Sequence, residues 1–161
     1  MLTCRLGEFE FIDYTELPEE LVRRVWECRN LPEIRCQMVN TEPIPLSRHL
    51  DFIEKLKSDE KSIYFAVVSG GELIGSVNLH LGEDMEAERG IYILPEYQGQ
   101  GFAKRICTEL YKYARERLGV ECITTTVLRG NDRSNGLERS LGARLSREDG
   151  RYCYYRYNFG N

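Results

Sequence analysis

The sequence has 161 residues, with 22 basic and 26 acidic side chains and a formal net charge of −4. This length is typical of one domain, and a chain of this size buries enough surface to fold without disulfides or a metal. The acidic balance excludes a general affinity for nucleic acids or anionic membranes, so an anionic ligand would have to be held locally. We therefore expect residues 1–161 to form a single domain.

The cysteines and the N-terminus bear on location. The six cysteines show no C-x-x-C spacing and no cluster with the two histidines. This arrangement favours reduced thiols and no metal site. The N-terminus has no basic segment before an apolar core, and no apolar run approaches the roughly 18 residues of a membrane span. We expect a cytoplasmic protein that contacts neither membrane nor nucleic acid.

The first half of the chain predicts one strand, two helices and a hairpin. Loose alternation over residues 3–11 indicates a strand, and apolar residues at helical spacing indicate a helix over 18–30. A second helix follows Pro45. The runs SIYFAVV and ELIGSVNLHL predict two strands joined by the glycine pair at 70–71, which is a strong hairpin signal.

The second half continues with alternating strands and helices. A strand is predicted over residues 87–94, and a long amphipathic helix then extends to about Leu118. The β-branched run CITTTVL predicts a strand, and a short helix over 134–141 ends at Gly142, a natural C-cap residue. The run RYCYYRYNF predicts a last strand, with one more strand possible near Leu145.

The stretch EYQGQGFAKRI, residues 96–106, places two glycines where a strand passes into a helix. Free amides at a helix N-terminus, together with the positive end of the helix dipole, form an anion site suited to pyrophosphate. The stretch does not match a P-loop, because Phe102 follows Gly101, nor a dinucleotide fingerprint, because Lys104 stands where a third glycine is needed. The alternative is that the two glycines only shape a tight turn.

A second pattern favours the anion site. Gln-x-x-Gly-x-Ala at 98–103 resembles the coenzyme A signature of the GCN5-related N-acetyltransferase (GNAT) family, and VLRGNDRSNGLERSLGA is similar to a second segment of that family. The resemblance covers nearly the whole chain. It implies an α/β (α+β) fold of the GNAT type, with a central mixed, mostly antiparallel twisted sheet of six to seven strands flanked by about four helices. It also implies an acetyl-CoA-dependent N-acetyltransferase that acts on a primary amine.

The resemblance also assigns residues to coenzyme A. Ile93 and Leu94 would hydrogen-bond the pantetheine arm through their backbone, so that the arm behaves like an added strand. Asn131, Ser134 and Leu137 would line the other side of the cofactor. Backbone amides of one continuous stretch would cradle the pyrophosphate: Gln98, Gly99, Gln100, Gly101, Phe102, Ala103 and Lys104.

Three side chains are candidates for proton transfer. An alkylamine is mostly protonated at neutral pH, and Glu88 is the candidate base or amine-orienting group, unless it is simply a solvated or salt-bridged carboxylate. The family often uses a tyrosine to protonate the departing thiolate, but Glu138 stands at that position here. Glu138 is either an acid whose pKa is raised by burial or an exposed helical carboxylate. His80 is a candidate base that faces the acceptor, or a hydrogen-bonded surface residue.

Residues 26–57 should determine the acceptor, because the family usually builds its acceptor pocket there. This segment resembles the branch that acetylates UDP-linked 4-amino-4,6-dideoxy sugars, and we expect a small-molecule amine substrate. A polyamine or a protein N-terminus is the alternative acceptor. The alternative function is a CoA-binding module with little or no catalysis, and the protein could form a homodimer. The candidate substrate-binding residues are Arg29, Asn30, Met38 and Tyr92.

Overall fold

The structure, a computed structural model, describes residues 3–160. They form one eight-stranded sheet with the strand order β1-β2-β3-β4-β5-β6-β8-β7. All neighbouring strands are antiparallel except β5 and β6, which are parallel. The strands are β1 (Cys4–Leu6), β2 (Phe9–Asp13), β3 (Ser62–Ser69), β4 (Glu72–Leu81), β5 (Glu86–Ile93), β6 (Cys122–Leu128), β7 (Arg144–Glu148) and β8 (Tyr152–Asn158).

Within residues 3–160, five α-helices flank the sheet, one more than the sequence predicts. They are α1 (Glu19–Arg29), α2 (Pro32–Arg35), α3 (Leu46–Leu56), α4 (Phe102–Leu118) and α5 (Asp132–Leu141). The unpredicted helix is α2, which is a single turn and so too short to produce a helical period. The long α4 and the C-cap of α5 at Gly142, with φ of 91°, agree with the predictions.

The strand count exceeds the predicted six to seven for two reasons. The single strand expected over residues 3–11 is a hairpin, because Gly7, with φ of 62°, turns the chain between β1 and β2. The additional strand near Leu145 is present as β7 at the sheet edge. The predicted mixed, mostly antiparallel sheet is confirmed with these two additions.

The two faces of the sheet carry separate cores. Strand alternation directs Phe65 and Val67 of β3 toward the core that includes Ile106 and Leu110 of α4. Ala66, on the opposite face, packs in the core with α1 and α3. The sheet is therefore a central layer, with α4 on one face and α1 and α3 on the other.

One buried polar contact joins two helices of the second layer. His49 of α3 is 7% exposed, and its Nε2 lies 3.0 Å from the Val22 carbonyl oxygen of α1, to which it donates. Burial lowers the pKa of His49, so the neutral ring that makes this contact is favoured. His49 is thus structural. Within residues 3–160, no helix is long and apolar enough to cross a bilayer.

Candidate active site

The parallel strands β5 and β6 pair over only three positions. The pairs are Glu86 with Cys122, Ala87 with Ile123, and Glu88 with Thr124, after which the strands separate. The other edge of β5 stays paired to β4 as far as Ile93. A gap therefore opens in the sheet beyond Glu88.

The register of β4 and β5 fixes which backbone groups face this gap. The Leu94 amide donates to the Ile74 carbonyl at 2.9 Å, so this is a hydrogen-bonded pair. Hydrogen-bonded and non-hydrogen-bonded pairs alternate along an antiparallel ladder, so Ile91 and Ile93 are in non-hydrogen-bonded pairs with β4. Their backbone N–H and C=O groups therefore point away from β4 and into the gap. The gap edge of β5 can accept an added extended chain at these two residues.

The prediction for Leu94 was therefore wrong, and Ile91 was missed. The Leu94 amide is bonded to Ile74, its carbonyl accepts from the Tyr97 amide at 2.9 Å, and its side chain is 1% exposed. The register could not be deduced from the sequence, because a shift of one residue exchanges the two edges of a strand.

A cleft of about 510 Å³ occupies the gap and continues over the N-terminus of α4. Three sets of residues line it: the β5 end and the loop before α4, the N-terminal part of α5, and the α2 region. The end of β5 and the loop before α4 contribute Ile91, Tyr92, Ile93, Tyr97, Gln98, Gly99, Gly101, Phe102, Ala103 and Lys104. The start of α5 and the two residues before it contribute Gly130, Asn131, Asp132, Arg133, Ser134 and Leu137. The α2 region contributes Glu33, Ile34, Gln37 and Met38.

The start of α4 presents free backbone donors to the cleft. Gly99 and Gly101 have φ of 76° and 79°, the left-handed conformation that favours glycine, and Gly101 caps the helix with no side-chain hydrogen bond. The first intrahelical bond of this turn is donated by the Arg105 amide to the Gly101 carbonyl. The amides before it, over residues 102–104, therefore have no intrahelical acceptor and carry the positive end of the dipole of a 17-residue helix.

The side chain of Gln98 connects two walls of the cleft. Its Nε2 donates to the Ile93 carbonyl at 2.8 Å, and its Oε1 accepts from Arg133 of α5. Its own amide donates to the Pro95 carbonyl at 3.3 Å, so this amide is engaged within the turn. Gln100 lies outside the cleft lining, and its side chain donates to the Glu96 carbonyl. Fewer backbone amides than the predicted stretch of residues 98–104 are therefore available to bind an anion.

The wall formed by α5 contains all three residues that the sequence assigns there. Asn131 is the N-cap, and its side chain accepts from the Ser134 amide at 3.2 Å. Ser134 and Leu137 line the cleft. Arg133 of the same turn was missed, and like Lys104 it lines the cleft and carries a positive charge.

On the α1 side of the sheet, the phenols of Tyr14, Tyr64 and Tyr92 lie near enough to Arg29 to affect its pKa. The Nη2 of Arg29 donates to the Asn40 carbonyl at 3.2 Å, while its Nη1 is buried with no protein partner. Burial raises the pKa of Tyr14 to about 12, against the lowering effect of its hydrogen bonds with Ser76 and Tyr92, and burial raises the pKa of Tyr92 well above its usual range. The phenols of Tyr14 and Tyr92 are therefore neutral at physiological pH, and Tyr92 lines the cleft.

Comparison with known proteins identifies the family. The family model described as the acetyltransferase (GNAT) family matches residues 21–143. The chain belongs to this family. It is an N-acetyltransferase, and acetyl-CoA is the acetyl donor that the family uses.

Relatives and solved structures agree with this assignment. The chain is 30% identical over 119 residues to the acetyltransferase PseH of Campylobacter jejuni strain 81-176, which covers 74% of each chain. It is 28% identical over 142 residues, 88% of each chain, to PseH of strain NCTC 11168.

Two crystal structures have the same fold. That of C. jejuni N-acetyltransferase PseH in complex with acetyl coenzyme A has a TM-score of 0.77 at 23% identity and covers 94% of this chain and 99% of its own. That of spermidine N-acetyltransferase from Vibrio cholerae, with CoA and spermine, has a TM-score of 0.84 at 21% identity and covers 94% and 95%.

Within this acetyltransferase, Glu138 is buried but lies outside the cleft. It is 1% exposed and forms an ion pair with Arg89 of β5, which is itself 5% exposed. It does not line the cleft, although its neighbour Leu137 does. The alternative of an exposed helical carboxylate was therefore wrong, because the sequence does not reveal that Arg89 faces α5, and the role of Glu138 as an acid stays a prediction.

Glu88 and His80 are cross-strand partners outside the cleft lining. Glu88 is exposed, and no ion pair to it forms among residues 3–160. The Nδ1 of His80 lies 2.8 Å from Ser62 Oγ, which engages the ring at the strand end. Ile91 is three residues from Glu88, or roughly 10 Å along the strand, so Glu88 would act on the cleft through water.

The side chain of Asn30 is engaged within the protein. Its Nδ2 donates to the Ile44 carbonyl and its Oδ1 accepts from the Ile44 amide, both at 2.8 Å. The side chain therefore fixes the loop before α3, and Asn30 is not part of the cleft lining. Met38 lines the cleft, and its role in substrate binding stays a prediction. In the described part of the chain, no group of three His, Cys, Asp or Glu side chains is placed to hold a metal.

Gly101→Val tests the anion site. A side chain at φ of 79° costs about 1–2 kcal/mol of strain and moves the first amides of α4. We expect CoA, measured by calorimetry, to bind at least about tenfold more weakly, which is ~1.4 kcal/mol. The matched control is Gly119→Val at the other end of α4, where φ is 68° and a Cβ meets nothing within 4 Å. Equal CoA affinity in the two variants would contradict the assignment.

Proposed function

We propose that residues 1–161 act as a single acetyltransferase domain that transfers an acetyl group from acetyl-CoA to the primary amine of a small molecule. The preferred acceptor in this proposal is a nucleotide-linked amino sugar. The observation that carries the proposal is the gap between β5 and β6, which has free backbone donors at one end. Arg29, whose buried Nη1 has no protein partner, lies on the α1 side of the sheet and is not part of the cleft lining.

The cofactor would lie along β5. The pantetheine arm would pair with the gap-facing backbone of Ile91 and Ile93, and the pyrophosphate would sit against the amides of residues 102–104. Lys104 and Arg133 would add charge at the phosphate end. Asn131, Ser134 and Leu137 would close the opposite side.

Bound acetyl-CoA would supply an activated acetyl group and a thiolate leaving group. The neutral amine would attack the thioester carbon, so that the C–N bond forms, the C–S bond breaks and the thiolate leaves, while the surplus proton on the nitrogen passes through water to the thiolate or to solvent. A thiol has an ordinary pKa of about 8.5, so the thiolate is a tolerable leaving group without an acid at position 138. The buried ion pair of Glu138 fits this unassisted departure.

Glu88 is the proposed base. It projects on the same face as Tyr92, its carboxylate has no ion-pair partner in the part of the chain that the structure describes, and solvent reaches it. It would take a proton from the ammonium form of the acceptor through water. His80 is the weaker candidate, because Ser62 already engages its ring.

The acceptor assignment rests on Arg29. Its buried, unpartnered Nη1 can donate to an anionic or carbonyl oxygen of a ligand, whereas a polyamine would place further positive charge beside it. Residues 26–57 also resemble the branch that acetylates nucleotide-linked amino sugars. A nucleotide-linked sugar offers an amine to the thioester and oxygen acceptors to Arg29.

Location and assembly complete the proposal. We place the protein in the cytoplasm, where its free cysteines stay reduced. We also propose a homodimer, since β7 is an edge strand whose five residues are all exposed. A monomer mass by light scattering at micromolar concentration would reject the dimer.

Glu88→Gln tests the base. We expect kcat/KM to fall about 100-fold at pH 7, because the variant cannot accept the proton of the ammonium group. The deficit should shrink as pH rises, because more of the amine is then already neutral. Glu10→Gln, an exposed carboxylate on β2, is the control and should leave the rate unchanged. A Glu88→Gln enzyme with the wild-type pH–rate profile would rule the role out.

Arg29→Met tests the acceptor. With acetyl-CoA and a panel of UDP-linked 4-amino sugars, polyamines and peptide N-termini, wild-type turnover should be highest on the sugars. In Arg29→Met the KM for the sugar should rise about tenfold, since a charged hydrogen bond is lost, while the KM for acetyl-CoA is unchanged. Arg23→Met on the exposed side of α1 is the control. Turnover confined to polyamines or peptides would reject the sugar assignment.

A further inference from the structure

The ion pair between Arg89 and Glu138 lies where the sheet opens. Arg89 follows Glu88, the last residue of β5 that pairs with β6, so it is the first β5 residue at the separation point. Its side chain points to the face covered by α4 and α5, where Nη1 contacts Cys107 Sγ at 3.4 Å and Nη2 bonds to Glu138. The pair thus joins β5 to α5 beneath the cleft.

These two elements are opposite walls of the same cleft. Residues 91–93 of β5 line one side, and Ser134 and Leu137 of α5 line the other. Leu137 is adjacent to Glu138, so a shift of the α5 backbone at Glu138 would also move a lining residue. The ion pair is therefore a direct link between the two walls.

Burial of two charged side chains costs free energy of desolvation, which a purely structural contact between apolar side chains would avoid. Both residues are buried, at 5% and 1% exposure, and the Nε of Arg89 has no protein partner. Burial alone would lower the pKa of Arg89, but Cys107, Tyr111 and Glu138 raise it, so the guanidinium stays charged. Buried ion pairs are often no more stabilising than apolar side chains of similar volume, whereas their directional bonds define one arrangement.

We propose that Arg89 and Glu138 are positioning residues that set the width of the cleft between β5 and α5, and with it the placement of the acetyl donor. Neither side chain lines the cleft, so both act through the walls. The proposal rests on the proposed function, because it requires acetyl-CoA to occupy the cleft. It also gives a reason why a glutamate stands where the family often has a tyrosine: the residue bonds to β5 below the site.

The test compares charge removal with apolar replacement. Glu138→Gln is nearly isosteric and keeps a hydrogen-bond acceptor, and the double variant Arg89→Met/Glu138→Leu fills the same space without directional bonds. We expect both to raise the KM for acetyl-CoA about tenfold and to lower kcat, with the acceptor KM little changed. The Tm of the double variant should stay near that of the wild type. Glu54→Gln, which breaks the exposed pair with Lys57, is the control.

The outcomes separate a positioning role from a structural one. If the double variant regains wild-type Tm and wild-type kinetics together, the pair only fills space and the proposal is overturned. Wild-type KM and kcat in Glu138→Gln would overturn it as well, whatever the fate of the double variant. Absence of turnover in the wild-type enzyme, measured first with acetyl-CoA, would instead reject the proposed function.

Discussion

The early end of pairing between β5 and β6 is the constraint on which the site depends. Three paired positions hold the strands together, and beyond Glu88 the parallel ladder stops while β5 stays bonded to β4. One edge of a buried strand is thereby left without a strand partner at Ile91 and Ile93, where only the Ile93 carbonyl is engaged, by the Gln98 side chain. A sheet that continued to pair would satisfy those groups internally and would leave no cleft.

Three further features complete the cleft that occupies this gap. The start of α4, with Gly101 as its N-cap, leaves free backbone donors at the mouth of the cleft, Gln98 connects the end of β5 to Arg133, and α2 supplies a third wall. In the proposed site backbone donors would hold the phosphate, so its local binding is compatible with a net charge of −4. Arg29 lies on the α1 side of the sheet, so the proposed recognition of the acceptor is separate from the proposed binding of the phosphates.

Local signals predicted much of the fold. The glycine pair at 70–71, the period of α4 and the C-cap at Gly142 each specify structure within a few residues, and the GNAT fold follows from two motifs. Contacts between distant residues were not predictable. Glu138 meets Arg89 49 positions away, Leu94 is engaged by Ile74, and Asn30 is fixed by Ile44, all through tertiary packing that one sequence does not display.

The direct test of the account is a titration of the ¹⁵N-labelled protein with CoA, followed by NMR amide shifts and hydrogen exchange. The account predicts that the amides of Ile91, Ile93 and residues 102–104 shift and become protected, because they gain partners in the ligand. The Leu94 amide should change little, since Ile74 already accepts its hydrogen bond. Protection at Leu94 with unchanged Ile91 and Ile93 would contradict the claim that the gap edge of β5 holds the cofactor.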